Sequence, residues 1–292
     1  MDWLVVNTVS GSGRARARLE AVRAEFKERS IVCDEKIAAT IPEIQDIARI
    51  AVHAHVDRLW GLGGDGTLAA LAGELCYTPT LLCPLPGGTA NVFCRELSIP
   101  TDLSEAIPAM LGGIQMTIDV GQVAETKFLL MASVGIDAQT VRDVHLGLKE
   151  KIGPLAYVIE GALKFFSFPA PRLTVTDEHG IDHNAFHAIV QNSRLYGGSV
   201  LMAPKAKLDD GRFDVILIKK PGRFALLRFL FSVKNGRHVN LPYVEYFRSN
   251  TVHIQSGAAD SLQADGDCLT KLPAKITILP KALRVLAPRP NP

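Results

Sequence analysis

Apolar positions in the first 120 or so residues fall into short runs that end on glycine. Trp3 to Asn7 reads as a strand closed by a Gly/Ser turn at Ser10 to Gly13. A helical stretch follows, with Leu19, Val22 and Phe26 spaced to share one face and Arg16, Arg23, Lys27 and Arg29 off it. Arg58 to Leu62 is another strand, largely buried, that runs into Gly63-Gly64-Asp65-Gly66-Thr67 and then a small-residue helix over roughly Leu68 to Leu75. Leu81 to Leu85 is a further strand, ending in Pro86-Gly87-Gly88-Thr89. Strand, tight glycine turn, helix, strand is the order of a parallel α/β sheet, whose ligands sit at the carboxyl ends of the strands.

After about Gly121 the pattern changes to short strand-like runs: Phe128 to Ser133, Leu173 to Thr176, Phe186 to Asn192, Phe213 to Lys219, Thr251 to Gln255 and Lys275 to Leu279. Turn residues separate them, which predicts an antiparallel sandwich or barrel. Two helical stretches interrupt it, near Leu146 to Phe166 and Phe224 to Lys234. The change of pattern predicts an α/β domain over residues 1–121 and a β-rich domain over 122–279, with the last residues, about 280–292, packing back on the first.

Composition narrows the function. Of 292 residues, 47% are hydrophobic and 21% charged, a globular balance. The net charge of +2 is too small to bind nucleic acid by bulk electrostatics. The five cysteines (Cys33, Cys76, Cys83, Cys94, Cys268) form no Cys-x-x-Cys pair, so free thiols in a reducing compartment are the simplest reading. The amino-terminal residues lack a basic and then apolar signal pattern, and no apolar run is long enough to span a bilayer. The expected location is the cytoplasm.

Three glycine-bearing loops then carry the chemistry. Glycines between strand and helix let backbone N–H groups approach a phosphate, and the helix amino terminus favours negative charge. Gly63 to Thr67 is one such loop; Pro86-Gly87-Gly88-Thr89-Ala90-Asn91 and the turn after Asn7, with Ser10 and Gly11, are two more. Three loops at neighbouring strand ends predict a polyphosphate cradle. Asp265-Gly266-Asp267 places two carboxylates two residues apart, on one side of an extended backbone, although the same triplet reads as a turn. Asp209-Asp210-Gly211 reads equally as a hairpin turn or, with Asp214, as oxygen ligands for a hard cation. His183 and His187 lie along a predicted strand and are not read as metal ligands. Arg14, Arg16 and Arg18 form either a solvated face or a contact with anions. The apolar, basic-flanked stretch from Phe224 reads as a cover for the sandwich core, with a membrane contact as the second reading.

Gly63 to Thr67 and Pro86 to Asn91 together resemble the diacylglycerol-kinase catalytic domain, whose family also includes sphingosine and ceramide kinases. The resemblance continues in order through Lys151 to Tyr157, Tyr196-Gly197-Gly198, Leu201 to Pro204, Asp209 to Gly211, Gly236-Arg237-His238 and Ala264 to Asp267. It implies an N-terminal α/β domain like that of NAD kinase, a C-terminal antiparallel β-sandwich, and an active site in the cleft between them. It implies ATP held by Asn7, Ser10, Gly11, Thr40, Gly63, Gly64, Asp65, Gly66, Thr67, Gly88, Thr89 and Asn91. Asp265 would be the general base toward a lipid hydroxyl. A structural Mg²⁺ would be bound by Asp210 with main-chain carbonyls near Lys207 and Arg212, and Asp267 would stand near metal or water.

The implied activity is a lipid kinase that transfers the γ-phosphoryl group of ATP to an alcohol such as diacylglycerol, visiting the inner face of the membrane from the water side. A kinase for NAD or a sugar phosphate, and a silent nucleotide- or lipid-binding module, are the alternatives. Two positions depart from the family pattern: Val92 stands where many members have Asp, and Asp267 where Glu is usual. An edge strand of the sandwich is a candidate for pairing in a homodimer.

Overall fold

The computed structural model describes residues 1–11, 13–135, 172–233, 235–257 and 260–289. The expected helix at Leu146 to Phe166, with its Lys151 to Tyr157 opening, lies outside the described residues.

The first half alternates as its apolar runs demand. It comprises β1 (Asp2–Asn7), α1 (Arg14–Glu28), β2 (Cys33–Ala38), α2 (Ile41–His53), β3 (Arg58–Gly63), α3 (Asp65–Leu75), β4 (Leu81–Pro86), α4 (Val92–Glu96) and α5 (Leu103–Leu111). Every residue of β1 and β4 is buried, as befits strands covered on both faces. Helix α1 buries Ala15, Leu19, Val22 and Phe26, and Phe26 meets Trp60 of β3 edge to face at 5.1 Å. The one acid of β1, Asp2, is satisfied by Trp60 Nε1 and Arg58 Nε, each at 3.0 Å.

The second half is strand-rich: β5 (Ile114–Val123), β6 (Thr126–Phe128), β7 (Met131–Val134), β8 (Leu173–Thr176), β9 (Asp182–Ala185), β10 (His187–Gln191), β11 (Leu195–Tyr196), β12 (Val200–Leu201) and β13 (Phe213–Ile218). Helix α6 (Arg223–Val233) then precedes β14 (Val244–Ser249), β15 (Thr251–Ser256), β16 (Ser261–Ala264), β17 (Asp267–Lys271) and β18 (Ala274–Ala287).

One sheet joins the two halves, in the order β2-β1-β3-β4-β18-β15-β8-β9, with β5 also on β18 and β6 on β5. The strands β2, β1, β3 and β4 run parallel, and β18 joins β4 in parallel through Val285 opposite Leu82. Beyond β18 every pairing is antiparallel. The second sheet, β14-β13-β10-β7-β16-β17, is antiparallel throughout. It packs on β15, β8 and the start of β18 through Val175, Val252, Ile254 and Ile276 against Val190, Phe213, Val215 and Leu262. The 14-residue β18 therefore serves both halves, and their relative placement is set by a covalent strand as well as by packing.

The strand expected over Phe128 to Ser133 is broken. It divides into β6 and β7 at Leu129 and Leu130, whose N–H groups turn toward the carboxylate of Asp265. Among the described residues no helix is long and apolar enough to cross a membrane.

Candidate active site

The three glycine loops meet at the carboxyl ends of β1, β3 and β4. Asn7 Nδ2 donates to Thr67 Oγ1 at 2.8 Å, tying the first loop to the start of α3. Gly64 N donates to Ser10 Oγ at 2.7 Å, and Gly87 N to Gly63 O at 2.8 Å. The fit leaves no room for side chains. A Cβ on Gly88 would lie 2.5 Å from Gly64 Cα, and one on Gly11 would lie 3.0 Å from Gly87 O. Several of the N–H groups expected to face a phosphate are thus spent on joining the loops. Gly88 N goes to Asn91 Oδ1 at 2.7 Å, closing the second turn on itself. The first turn of α3 adds N–H groups that have no carbonyl inside the helix to bond. A helix start of this kind can take an anion. Thr40 sits at the amino terminus of α2, at the end of β2, where its hydroxyl and Glu43 form a capping box. Thr89 is exposed on the second turn. Arg18 of α1 reaches over to donate to Pro86 O at 2.5 Å, so the basic helix face does meet this edge.

Asp65 opens α3 and accepts from Phe93 N at 2.9 Å, thereby capping α4. Burial raises its pKa, while the N–H groups of Phe93 and Val92 pull the other way. One turn later Glu96, buried, accepts from Arg194 Nε at 2.7 Å and from Leu195 N at 3.0 Å. This pair ties the helix after the second glycine turn to the second half of the chain. Removing the carboxylate strands a main-chain N–H and half-exposed Arg194. Glu96→Ala is expected to cost about 2 kcal/mol, read as a lower urea midpoint at unchanged slope.

Across from these loops lies Asp265. Of the two readings of this triplet the extended one does not hold and the turn does: Asp265-Gly266 is the two-residue turn of the β16–β17 hairpin. Its φ values are +47° and +94°, and Ala264 pairs with Asp267. Asp-Gly favours this because both turn positions need positive φ. The turn lifts Asp265 out of the strand, and Asp267 is left exposed. The Asp265 carboxylate accepts from Leu129 N at 2.6 Å on one oxygen, and from Leu130 N at 2.9 Å and Met131 N at 3.0 Å on the other. Below it, Gln263 Nε2 donates to Ser133 Oγ at 2.7 Å, and Gln263 Oε1 accepts from Gly266 N at 3.0 Å, bracing the turn. Burial pushes the Asp265 pKa up to about 6 against those three N–H groups, and the negative charge of Asp65 adds to the rise. The base candidate and the glycine crevice are therefore within electrostatic reach of each other.

A second acidic group gathers around the Asp209 to Gly211 turn. Asp119, buried in β5, accepts from Gly211 N at 2.6 Å and from Lys281 N at 2.7 Å. It thereby pins the Asp209 to Gly211 turn and the bulge of β18 together. Burial raises its pKa, and the charges of Asp210 and Asp209 raise it further. Asp210 accepts from Arg212 N at 3.2 Å and pairs with Arg248. Asp214 is buried and accepts from the Tyr246 hydroxyl, while its other oxygen has no hydrogen-bond donor. Lys207 and Arg212 are exposed on either side of the turn, and Arg212 pairs with Glu178 at 2.6 Å. This hard-oxygen donor set has the chemistry that Mg²⁺ takes. Among the described residues no three Asp, Glu, His or Cys side chains form a ready-made cage, so carbonyls and water would complete the shell.

The structure thus brings together Asn7, Ser10, Gly11, Gly63, Gly64, Asp65, Thr67, Gly88 and Asn91, with Asp265 opposite. Asp267 is exposed at the start of β17. The two histidines are separated: His183 stacks on Phe247 at 4.4 Å and bonds Glu245 at 2.8 Å, whereas His187 is buried on β10. Sequence reasoning missed Asp119 and Glu96. An isolated acid in the apolar run Ile118-Asp119-Val120 was a usable signal, because a buried charge needs partners. Glu96, in a short helix of mixed composition, carried none.

Comparison with known proteins adds the family context. Residues 3–123 match the diacylglycerol kinase catalytic domain, and residues 131–287 match the YegS C-terminal NAD kinase beta sandwich-like domain. A protein of Mycobacterium tuberculosis (strain ATCC 25618 / H37Rv) named diacylglycerol kinase is 30% identical over 98% of this chain and 94% of its own length. A Staphylococcus aureus (strain MRSA252) protein of the same name is 28% identical over 98% of this chain and 91% of its own. Two solved structures from Bacillus anthracis str. Sterne share the fold. One has a TM-score of 0.82 at 20% identity, covering 100% of this chain and 97% of the other. The second, a diacylglycerol kinase, has a TM-score of 0.74 at 17% identity, with coverage of 100% and 97%.

Proposed function

The chain belongs to the diacylglycerol kinase catalytic-domain family of phosphotransferases, and from that premise we propose that it transfers the γ-phosphoryl group of ATP to the hydroxyl of a lipid such as diacylglycerol. The observation that carries this reading is the Asp265 carboxylate, fixed by three main-chain N–H groups within reach of the charge on Asp65.

In this reading the triphosphate lies on the amino terminus of α3, between the loops of Asn7 to Gly11, Gly63 to Thr67 and Gly88 to Asn91, with Thr40 and Thr89 at its margins. Thr67, oriented by Asn7, offers a hydroxyl at the helix start. The lipid hydroxyl approaches from the side of the second sheet. Asp265 accepts its proton as the oxygen attacks the γ-phosphorus and the bond to the β-phosphate oxygen breaks, so that ADP leaves. A carboxylate suffices as base because the transition state is loose and the proton departs late. Mg²⁺ accompanying ATP would neutralise phosphate charge; Asp210 with carbonyls near Lys207 and Arg212 is the set proposed to hold a structural Mg²⁺. Val92 cannot supply the carboxylate that many relatives have there, which leaves Asp65 as the acid among the glycine loops. The protein is proposed to work as a peripheral visitor to the inner face of the membrane.

The test is transfer of labelled γ-phosphate to a panel of diacylglycerol, phosphatidylglycerol, a sphingoid base and NAD⁺. Label is expected in a lipid alcohol, lost with EDTA and restored by Mg²⁺. Label in NAD⁺ and in no lipid would replace this reading with the small-molecule kinase.

A further inference from the structure

Helix α6 is more apolar than its packing requires. Eight of its eleven residues, Arg-Phe-Ala-Leu-Leu-Arg-Phe-Leu-Phe-Ser-Val, are apolar. Ala225, Phe229 and Val233, at successive fourth positions, are buried, the last two in a core with Met202, Ile216, Ile218 and Leu241. Phe231 lies two residues from Phe229, on the far side of the helix, and is 78% exposed; Leu230 is 47% exposed. A helix that only covers a core turns polar residues outward. Beside it, Val200 and Leu201 of β12 are each 38% exposed, and the next residue, Met202, packs in the same core as Phe229.

The segment that carries this face is basic. Between Val215 and Leu241 there are six lysines and arginines (Lys219, Lys220, Arg223, Arg228, Lys234 and Arg237) and no aspartate or glutamate, in a chain whose total charge is only +2. Lys220, Arg228 and Arg237 are exposed, and Lys219 pairs with Glu245 at 3.0 Å. The surface also adjoins the cleft. The β11–β12 hairpin starts at Leu195, whose N–H is held by Glu96. Strand register puts Met131, Gln191, Asp214, Ile216 and Ile218 on one face of the second sheet. From Asp214, in the row of Met131, to Ile218 under α6 is about 13 Å along the strand.

We propose that α6 and the β11–β12 hairpin form an interfacial docking surface for an anionic phospholipid bilayer. Phe231, Leu230, Val200 and Leu201 enter the headgroup boundary and the exposed Lys220, Arg228 and Arg237 meet the lipid charge. The proposal rests on the lipid-acceptor reading above, and it names the surface that brings the cleft to its substrate.

The experiment cosediments the full-length protein with vesicles of phosphatidylcholine, with and without added phosphatidylglycerol. Wild type is expected to sediment with the anionic vesicles. Phe231→Glu is expected to lower partitioning on the order of tenfold, and Lys220→Glu combined with Arg228→Glu to lower it on anionic vesicles alone. Val32→Glu, at a site 89% exposed just before β2, leaves it unchanged. Turnover of a short-chain diacylglycerol dissolved as monomers should be the same in Phe231→Glu as in wild type, which separates docking from folding and chemistry. Wild-type partitioning by Phe231→Glu overturns the proposal. So does a concentration-dependent dimer that the substitution abolishes while vesicle binding stays. If wild type phosphorylates no lipid at all, the function fails while the partition data still decide the surface.

Discussion

Asp265→Asn is expected to lower kcat on the order of a thousandfold while leaving the Kd for ATP unchanged. The asparagine keeps the turn, since Asn tolerates positive φ as Asp does. It loses the charge that accepts a proton, and its NH₂ group replaces one of two oxygens that both receive N–H donors. The pH profile gives a second signature. The Asp265 pKa is raised to about 6, and a base works only when deprotonated. Wild-type kcat should therefore fall about tenfold per pH unit below 6 and level off above it. The residual rate of Asp265→Asn should lack that limb. A parallel loss of ATP affinity, measured by calorimetry, or an unchanged acid limb in the variant, would remove Asp265 from the role of base.

Gly88→Ala should disrupt the meeting of the glycine loops with a single methyl group. Its Cβ would lie 2.5 Å from Gly64 Cα and 3.1 Å from Asn91 Oδ1, so the clash is with backbone, which cannot rotate away. The two loops must separate, and with them the bonds from Gly64 N to Ser10 and from Gly87 N to Gly63 O. The expected result is a loss of about 1–3 kcal/mol of stability. A fall in kcat/KM for ATP of roughly a hundredfold is expected with it, because misplacement by an ångström disrupts a preorganised site. Gly73→Ala is the control: its Cβ meets only Lys127 Cβ at 3.9 Å, so it should be neutral or slightly stabilising, as alanine is in a helix. Equal kcat/KM for Gly88→Ala and wild type would mean that the loops are not the phosphate site.

The two results separate the halves of the site, one reading the proton and the other the phosphate. The Glu96 strut bears on both, because it links the helix after the second glycine turn to Arg194 on the other side of the crevice.

The glycine-loop half of the proposed site was legible in the chain because its determinants are local. An apolar run that must be a buried strand, a glycine where two backbones touch, and a helix immediately after are all written within ten residues of one another, and β1, β3 and β4 with their loops follow. Even there, local pattern misjudged what the N–H groups do. That Gly64 bonds Ser10 and Gly87 bonds Gly63 depends on how three loops pack. The acceptor half was legible only as a turn. Asp265 acquires its geometry from Leu129, Leu130 and Met131, 134 to 136 residues away in sequence. Those same donors break the strand that the apolar run through Phe128 to Ser133 had promised. Asp119 joins Gly211 to Lys281 across 92 and 162 residues. Hydrophobic periodicity and turn chemistry report what a residue does with its near neighbours. Where a buried carboxylate finds its N–H partners is settled by which strands lie side by side, and that is a property of the folded chain alone.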